Sequence, residues 1–264
     1  MSRLNDFIKL AVFVISRKKI QRTVNQVEDE YTTGWNMYRN KLENSATIED
    51  WLNDNDGTAA YYNVEGKFSK QVFDSSDFYR KTFLNAFEKH YPDAKSVAEF
   101  GCGVGRNLIY LHKHYSNVKL YGFELCKPGV ELANKAAQKF NLPIQYFQLD
   151  YLNWIPSHIT IPNIDVGFTI FSLEQIPDDS LQALNNIMSR VNMGTFHLEP
   201  VVENYPWTIR GIIGRIDHYK VGYLNNFEKN ARKVVGDKNI NRQIYNTAHN
   251  PLMYPSLYIL KKNQ

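Results

Sequence analysis

Three acidic residues, Glu99, Glu124 and Asp150, lie at or beside the ends of short apolar runs in the middle of the chain. Each run has the length and composition of a β-strand, and a helix-forming stretch separates it from the next. Such alternation predicts a parallel sheet, and the carboxyl ends of parallel strands meet at one edge. The sequence therefore predicts that the three carboxyl groups converge on one polar ligand site.

A glycine-rich turn, Gly101-Cys102-Gly103-Val104-Gly105, follows the first of these strands. Glycine permits positive φ and lets backbone approach a ligand, and the next helix begins with free N–H groups. Arg106 stands where the dinucleotide pattern G-x-G-x-x-G needs its third glycine. A carboxylate at Glu99 would also repel a pyrophosphate, so the pattern favours a ligand with an ammonium group or hydroxyls. The alternative is that Glu99 only ties down the loop backbone.

The other two acids fit the remaining parts of a nucleoside. Glu124 ends the second strand, where a carboxylate in a nucleotide-binding βαβ unit accepts bonds from ribose hydroxyls. Asp150 has the apolar neighbours Leu149, Tyr151 and Leu152, which suit an adenine ring and its amino group. The alternatives are a surface charge at Glu124 and a turn cap at Asp150.

In combination, these motifs resemble those of class I S-adenosylmethionine-dependent methyltransferases. The matching segments are EFGCGVGRN (Glu99–Asn107), GFE ending at Glu124, LDYLN around Asp150 and FTIFSLEQIPD (Phe168–Asp178). The resemblance implies an S-adenosyl-L-methionine cofactor and a Rossmann-like α/β fold, with a seven-stranded, mostly parallel sheet whose last strand is antiparallel and helices on both faces. The cofactor-binding residues predicted from the motifs and the resemblance are Glu99, Gly101, Cys102, Gly103, Gly105, Arg106, Glu124, Leu125, Asp150, Tyr151 and Phe171.

The acceptor side offers three candidates for a general base. Glu174 follows the fourth strand, and His197 and Glu199 share one face of the fifth. A base is required only if the acceptor must lose a proton on attack. The resemblance further implies that Phe171 and Ser172 border the transferred methyl group. We predict no metal site.

Hydrophobic periodicity gives the order of elements. Helices are predicted in residues 1–52 and at 75–90 (opened by Ser75 or Ser76), 105–115, 129–140 and 180–191 (opened by Asp178 and Asp179). Strands are predicted at 96–100, 118–124, 144–149, 164–171, 194–199, 242–247 and 256–261.

These elements suggest a helical N-terminal extension or lid over residues 1–57, ended by the turn Asn53–Gly57, and a methyltransferase domain over 58–264. The domain divides into a core at 95–200, an acceptor-side insertion at 201–240 and an antiparallel tail at 241–264. Tyr61 and Tyr62 are further candidates for the lid. Within the insertion, residues 201–235 mix aromatic and cationic residues, which suits either an anionic acceptor or a solvated helix pair.

Composition narrows the setting. Two cysteines without a CxxC pair argue against disulfides and a zinc site and favour a cytoplasmic protein. The net charge of +4 is small for a nucleic-acid enzyme, but residues 1–24 carry six Lys or Arg against one Asp. Residues 7–15 form an apolar run too short to span a bilayer, which takes about 20 residues. An amphipathic helix is expected there, packed on the domain or a partner, or lying on a membrane surface.

The sequence leaves the acceptor open. A small molecule is favoured, for O- or N-methylation of a sugar, a glycan intermediate or an amine. The alternatives are a protein methyltransferase, whose residues 1–52 would dock a partner, and a non-catalytic protein that keeps the cofactor pocket. Aminopropyl transfer on the same fold is a further neighbour.

Overall fold

The computed structural model describes residues 3–20, 24–54, 57–153, 163–176 and 179–262, with backbone alone at 24–28. Nine strands are assigned in these residues: β1 Ala60–Val64, β2 Lys67–Gln71, β3 Ser96–Phe100, β4 Lys119–Glu124, β5 Ile144–Gln148, β6 Ile164–Ile170, β7 Val191–Pro200, β8 Ile240–Ile244 and β9 Pro255–Lys261. Nine α-helices are assigned in the same residues: α1 Arg3–Ser16, α2 Val24–Asn44, α3 Ile48–Leu52, α4 Ser75–His90, α5 Arg106–His114, α6 Lys127–Lys139, α7 Ser180–Ser189, α8 Ile209–Val221 and α9 Phe227–Val235.

Seven strands form one sheet in the order β5-β4-β3-β6-β7-β9-β8. The first five are parallel to their neighbours, and β9 pairs antiparallel with both β7 and β8. The predicted Rossmann-like sheet, including its antiparallel last strand, is confirmed. From β3 the chain adds β4 and β5 on one side of the sheet and then β6 and β7 on the other. This reversal of strand order opens a crevice at the carboxyl edge, where such folds bind ligands.

Alternating side chains of the central strands supply a core on each face of the sheet. In β3, Val97 packs with α4, α5 and α6, whereas Ala98 and Phe100 pack on the opposite face with α7 and α9. Both faces of the strand are buried, as expected for a parallel sheet covered by helices. Rigid packing on both sides fixes the residues that follow each strand.

Several bounds differ from the prediction. Asp74, rather than Ser75 or Ser76, caps α4 by accepting the N–H of Asp77, so that prediction is wrong. Asp179 precedes α7 without a side-chain cap bond, and Asp178 lies outside the described residues. Strand β8 begins and ends earlier than predicted, because this edge strand is largely exposed and its apolar pattern is weak.

The sequence pattern did not predict the antiparallel hairpin of β1 and β2. Tyr61 stacks on Phe68 within it, with ring centroids 4.3 Å apart, and Tyr62 packs edge-on against Phe73. The segment 201–235 contains the helix pair α8 and α9. Among the described residues, no helix is long and apolar enough to cross a membrane.

Candidate active site

A cavity opens at the carboxyl edge of the sheet, beyond the ends of β3, β4, β5 and β6. Nine of the eleven predicted cofactor-binding residues line it: Glu99, Gly101, Cys102, Gly103, Glu124, Leu125, Asp150, Tyr151 and Phe171. The three acids are therefore brought together, as the strand order requires. Gly105 and Arg106 are placed elsewhere.

The glycine loop is held to β4 and leaves its backbone open to the cavity. The N–H groups of Gly101 and Cys102 both donate to the carbonyl of Phe123, at 2.7 and 3.0 Å. Gly103 has φ +54°, and a Cβ there would lie 2.8 Å from the ring of Trp35. A side chain at Gly103 would therefore clash with Trp35, which itself lines the cavity. Gly105 instead packs against Tyr146, whose hydroxyl donates to its carbonyl at 3.0 Å.

Glu99 is a buried carboxylate with one free oxygen. Its Oε1 accepts a bond from the Asn107 side chain at 2.7 Å. Its Oε2 is buried and has no hydrogen-bond partner in the described part of the chain. Burial raises the pKa of Glu99 to about 8, assisted by the charge of Glu124 and opposed by the Asn107 bond. A buried carboxylate oxygen of this kind is unfavourable unless a donor, preferably a cation, reaches it.

Glu124 is tied to the loop by both of its oxygens. Oε2 accepts the N–H of Gly103 at 2.8 Å and Oε1 accepts the N–H of Cys126 at 3.0 Å. Burial raises the pKa of Glu124, and these backbone bonds oppose the shift. Each oxygen keeps a lone pair. Glu124 can therefore brace the loop and still accept ligand hydroxyls.

Asp150 caps the turn that follows β5. Oδ1 accepts the N–H of Leu152 at 2.8 Å, and Oδ2 accepts from the Asn153 side chain at 2.6 Å. Leu125, Leu149 and Leu152 line the cavity beside it. This end of the cavity combines apolar walls with one carboxylate, an arrangement suited to a flat heteroaromatic ring with an amino group.

The α2 helix closes the cavity with two aromatic side chains that the sequence pattern did not identify. Tyr31 and Trp35 lie one turn apart on α2, and both line the cavity. Their ring centroids are 5.4 Å apart. In the sequence, only the i, i+4 spacing of the two aromatic residues indicated that they share one face of a helix.

Arg106 attaches the N-terminal helices to the sheet domain. Its Nη1 donates to both Asp54 oxygens, at 2.6 and 2.5 Å, and its Nη2 donates to the carbonyl of Leu52. Asp54 also accepts from Lys41 at 3.0 Å and from Ser76 at 2.8 Å. The charge of Arg106 lowers the pKa of Asp54 although burial opposes it. Arg106 thus holds the segment that follows α3 rather than lining the cavity.

The far end of the cavity is formed by residues that follow β6. Phe171 has φ +52°, which is unusual for a bulky residue and marks a constrained position. Its ring lies edge-on to Tyr79 and to His249, with centroids 4.6 and 5.4 Å apart. Ser172, also on the lining, is 2.8 Å from the Tyr151 hydroxyl.

Tyr79 and His249 form a pair that the sequence pattern missed, because they lie far apart in the chain. The Tyr79 hydroxyl accepts the backbone N–H of His249 at 2.8 Å and is 2.9 Å from its Nδ1. With that N–H accepted, the hydroxyl proton is free to point at Nδ1, which places the His249 proton on Nε2. His249 as a whole residue is exposed to solvent.

His197 and Glu199 lie inside the sheet. The hydroxyl of Thr169 joins them, at 2.9 Å from His197 Nδ1 and 2.7 Å from Glu199 Oε1. Glu199 also accepts the N–H groups of residues 172, 173 and 174, at 3.1, 3.1 and 3.3 Å. Burial lowers the pKa of His197 to about 3 and raises that of Glu199 to about 7. Both are fully buried, in positions that shape the turn after β6.

Glu174, the third predicted base candidate, lies in the short 3-10 turn after β6. It is buried, and its Oε1 accepts from the Gln175 side chain at 2.9 Å. Gln175 lines the cavity, whereas Glu174 itself does not. Cys102, by contrast, is a buried thiol whose pKa is raised well above 9.0 by burial, so it is not an activated nucleophile.

Comparison with known proteins agrees with this geometry. Residues 97–194 match a family model described as a methyltransferase domain. An S-adenosyl-L-methionine-dependent Diels-Alderase, iccD of Talaromyces variabilis, is 36% identical over 87 residues. That alignment covers 31% of this chain and 28% of the Diels-Alderase, just over a quarter of its length.

Solved structures share the whole fold at low identity. Magnesium protoporphyrin IX methyltransferase (ChlM) of Synechocystis PCC 6803, with bound SAH, superposes with a TM-score of 0.59 at 15% identity, covering 91% of this chain and 100% of that one. The plantazolicin methyltransferase BpumL in complex with SAH gives a TM-score of 0.54 at 12% identity, covering 99% and 100%. The predicted resemblance is confirmed: residues 97–194 match the methyltransferase-domain model, and the chain shares its fold with methyltransferases solved with bound SAH.

Proposed function

We propose that this protein binds S-adenosyl-L-methionine and transfers its methyl group to a small-molecule acceptor. The observation that carries the proposal is the unpartnered, buried Oε2 of Glu99 in a cavity that is also lined by the Gly101–Gly103 loop. A buried carboxylate without a donor fits the ammonium group of a methionine. In its charged form it would repel the phosphates of a dinucleotide.

The lining residues match the parts of this cofactor in order. Glu99 and the Gly101–Gly103 backbone would hold the methionine part, Glu124 the ribose hydroxyls, and Asp150 with its leucine neighbours the adenine. When bound, S-adenosylmethionine supplies a methyl group already activated by its sulfonium. The protein's own tasks are then to align the acceptor and to exclude water. Tyr31 and Trp35 support the second task, because they cover the cavity from α2.

The acceptor would enter at the Phe171 end. There His249, with its proton on Nε2, offers a hydrogen-bond donor, and Glu174 is bonded to Gln175, which lines the cavity. We infer that His249 orients the acceptor and that Glu174 is the best placed of the three predicted bases. The fully buried His197 and Glu199 would act as positioning residues for the turn after β6.

An anionic acceptor stays a prediction with limited support. Arg210 binds Tyr254 and Asn63, at 2.9 and 3.0 Å, and Arg215 lies over the Trp207 ring at 4.3 Å. These contacts favour the helix-pair interpretation of residues 201–235, because the cations are used within the fold. A small acceptor is also consistent with the name of ChlM, whose substrate is a porphyrin. The two buried cysteines support a reducing, cytoplasmic setting.

A second candidate is a cyclase that uses the bound cofactor without transferring its methyl group. The activity for which the iccD relative is named, a Diels-Alder cyclisation, favours it. Such an enzyme would bind S-adenosylmethionine and leave its acceptor mass unchanged. Protein methylation and non-catalytic cofactor binding remain further alternatives.

Titration calorimetry of the purified protein with S-adenosylmethionine and S-adenosylhomocysteine tests the cofactor assignment. We expect micromolar binding that Glu124→Ala and Asp150→Ala weaken strongly, with Glu131→Ala on the outer surface of α6 as the matched control. Binding would justify screening acceptor pools by product mass. A mass increase of one methyl group supports transfer, and an isomerised product of unchanged mass supports the cyclase. No binding of either ligand would overturn the proposal.

A further inference from the structure

Helix α1 has two apolar faces, and one of them packs on its own domain. Phe7, Leu10, Ala11 and Val14 contact Ile213 of α8 and the neighbouring Leu252. At the C-terminal ends of the two helices, Arg17 pairs with Asp217 at 2.8 Å. At their N-terminal ends, Phe7 and Ile209 line the same groove. The two helices therefore run in the same direction.

The second apolar face of α1 is open to solvent. Leu4 and Val12 are 64% and 60% exposed, and Ile8 and Ile15 are 49% and 57% exposed. With about 100° between successive residues, these four side chains form one stripe beside the buried face. Within the described residues, no contact covers these four large aliphatic side chains of α1.

Helix α8 continues this exposed surface. Ile212 and Tyr219 are 42% and 65% exposed, and helical geometry for two helices in the same direction places them on the same side as the α1 stripe. Trp207 and Ile209, just before and at the start of α8, are 81% and 75% exposed. Trp and Tyr at an apolar border are typical of side chains at the level of lipid headgroups.

Basic side chains surround this apolar surface. Arg3, Lys9, Lys18 and Lys19 are exposed, and Lys19 Nζ lies 4.2 Å from the Tyr219 ring centroid. The acids nearby have other partners, because Asp6 binds the Tyr61 hydroxyl and Asp217 binds Arg17. The outward charge is thus positive around an apolar centre. Lysine stems can lie along an apolar surface while their ammonium groups reach outward.

We propose that the exposed faces of α1 and α8 dock this protein on a bilayer surface that contains anionic phospholipids. The apolar stripe would enter the headgroup boundary, and the four basic residues would contact lipid phosphates. Charge complementarity favours this occupant over a second copy of the chain, since two such surfaces would bring their basic residues together. The inference does not depend on methyl transfer.

Co-sedimentation of the full chain with phosphatidylcholine vesicles, with and without phosphatidylglycerol, tests the proposal. We expect binding to the anionic vesicles that salt weakens. Replacing Lys18 and Lys19 together by Gln should weaken it about 25-fold, since each lysine contributes about fivefold. The double variant Ile8→Gln/Ile212→Gln should weaken it at least about tenfold.

Matched controls separate this surface from general stickiness. Met37→Gln removes an exposed apolar residue of α2, and Lys135→Gln removes an exposed lysine of α6. Both should bind like the unchanged protein. Equal binding by all variants, or no binding to anionic vesicles, would overturn the proposal. A dimer in light scattering that Ile8→Gln disperses, without vesicle binding, would overturn it in favour of self-association.

Discussion

Replacing Glu99 by Gln should have opposite effects on stability and on ligand affinity. Gln keeps the shape of the side chain and can still accept the Asn107 bond, which measures 2.7 Å in the structure. It replaces the unpartnered Oε2 by a neutral NH2 group, which cannot accept a bond from an ammonium group. If Glu99 binds the cofactor ammonium, the variant loses a charge-assisted bond of about 1.5–3 kcal/mol.

The expected loss of affinity depends on pH, because the pKa of Glu99 is raised to about 8. At pH 6 the unliganded protein must lose a proton before it can pair with an ammonium group, and this costs most of what the bond contributes. Linkage then predicts nearly equal dissociation constants for the two proteins at pH 6, and about 7- to 80-fold tighter binding by the unchanged protein at pH 8.

Stability without ligand should change in the other direction. A carboxyl whose folded-state pKa lies above its ordinary value of 4.5 destabilises the fold as pH rises towards 8. The variant should therefore melt at a higher temperature than the unchanged protein at pH 8.5 and at a similar temperature at pH 5. Calorimetry with S-adenosylhomocysteine and thermal melts, with Glu131→Gln as control, measure both quantities. A melting temperature lowered at every pH, with affinity unchanged, would show that Glu99 only tethers the loop and would refute the reasoning.

The remaining predictions test other parts of the cavity. In Gly103→Ala the new methyl would lie 2.8 Å from the Trp35 ring, so cofactor affinity and melting temperature should both fall; adding Trp35→Ala should recover the melting temperature but not the affinity, and additive effects in this double-mutant cycle would contradict the contact. Asp150→Ala should weaken cofactor binding about 10- to 150-fold by calorimetry, the equivalent of about 1.5–3 kcal/mol, and unchanged affinity would leave Asp150 as a turn cap alone. His249→Gln should lower kcat by at least tenfold while the cofactor dissociation constant stays within about twofold. A large loss of cofactor affinity would contradict the proposal that His249 orients the acceptor.

The central sheet could be predicted because its signal is local. Residues such as Val97 and Ala98 are buried on both faces, so each strand appears as a short apolar run between turn residues. The same order brings Glu99, Glu124 and Asp150 to one edge without any knowledge of side-chain contacts. The prediction of the α4 cap was wrong because three possible capping residues, Asp74, Ser75 and Ser76, are adjacent in the sequence. Only the backbone geometry shows that Asp74 accepts the capping bond.

Contacts over long sequence distances were beyond the reach of a single sequence. Tyr79 and His249 are separated by 170 positions, and nothing in either segment predicts their 2.9 Å contact. Trp35 reaches the glycine loop from a helix that precedes the whole sheet domain. The bond from Arg106 to Asp54 depends likewise on how the N-terminal helices fold back. Motif spacing therefore predicted the strand-end residues that line the cavity, whereas its cover by Trp35 and the contacts around Phe171 depend on tertiary packing.

The three carboxylates also differ in a way that only the structure resolves. Glu124 accepts two backbone N–H groups, and Asp150 accepts one backbone and one side-chain N–H, so both are compensated before any ligand arrives. Glu99 has a single amide donor and a buried free oxygen. A neutral hydroxyl or amino group suits a carboxylate that is already compensated, whereas full positive charge stabilises the one that is not. The uneven satisfaction of three chemically similar groups thus gives the cavity a direction, and we expect a cation to bind at Glu99 and a heteroaromatic ring at Asp150.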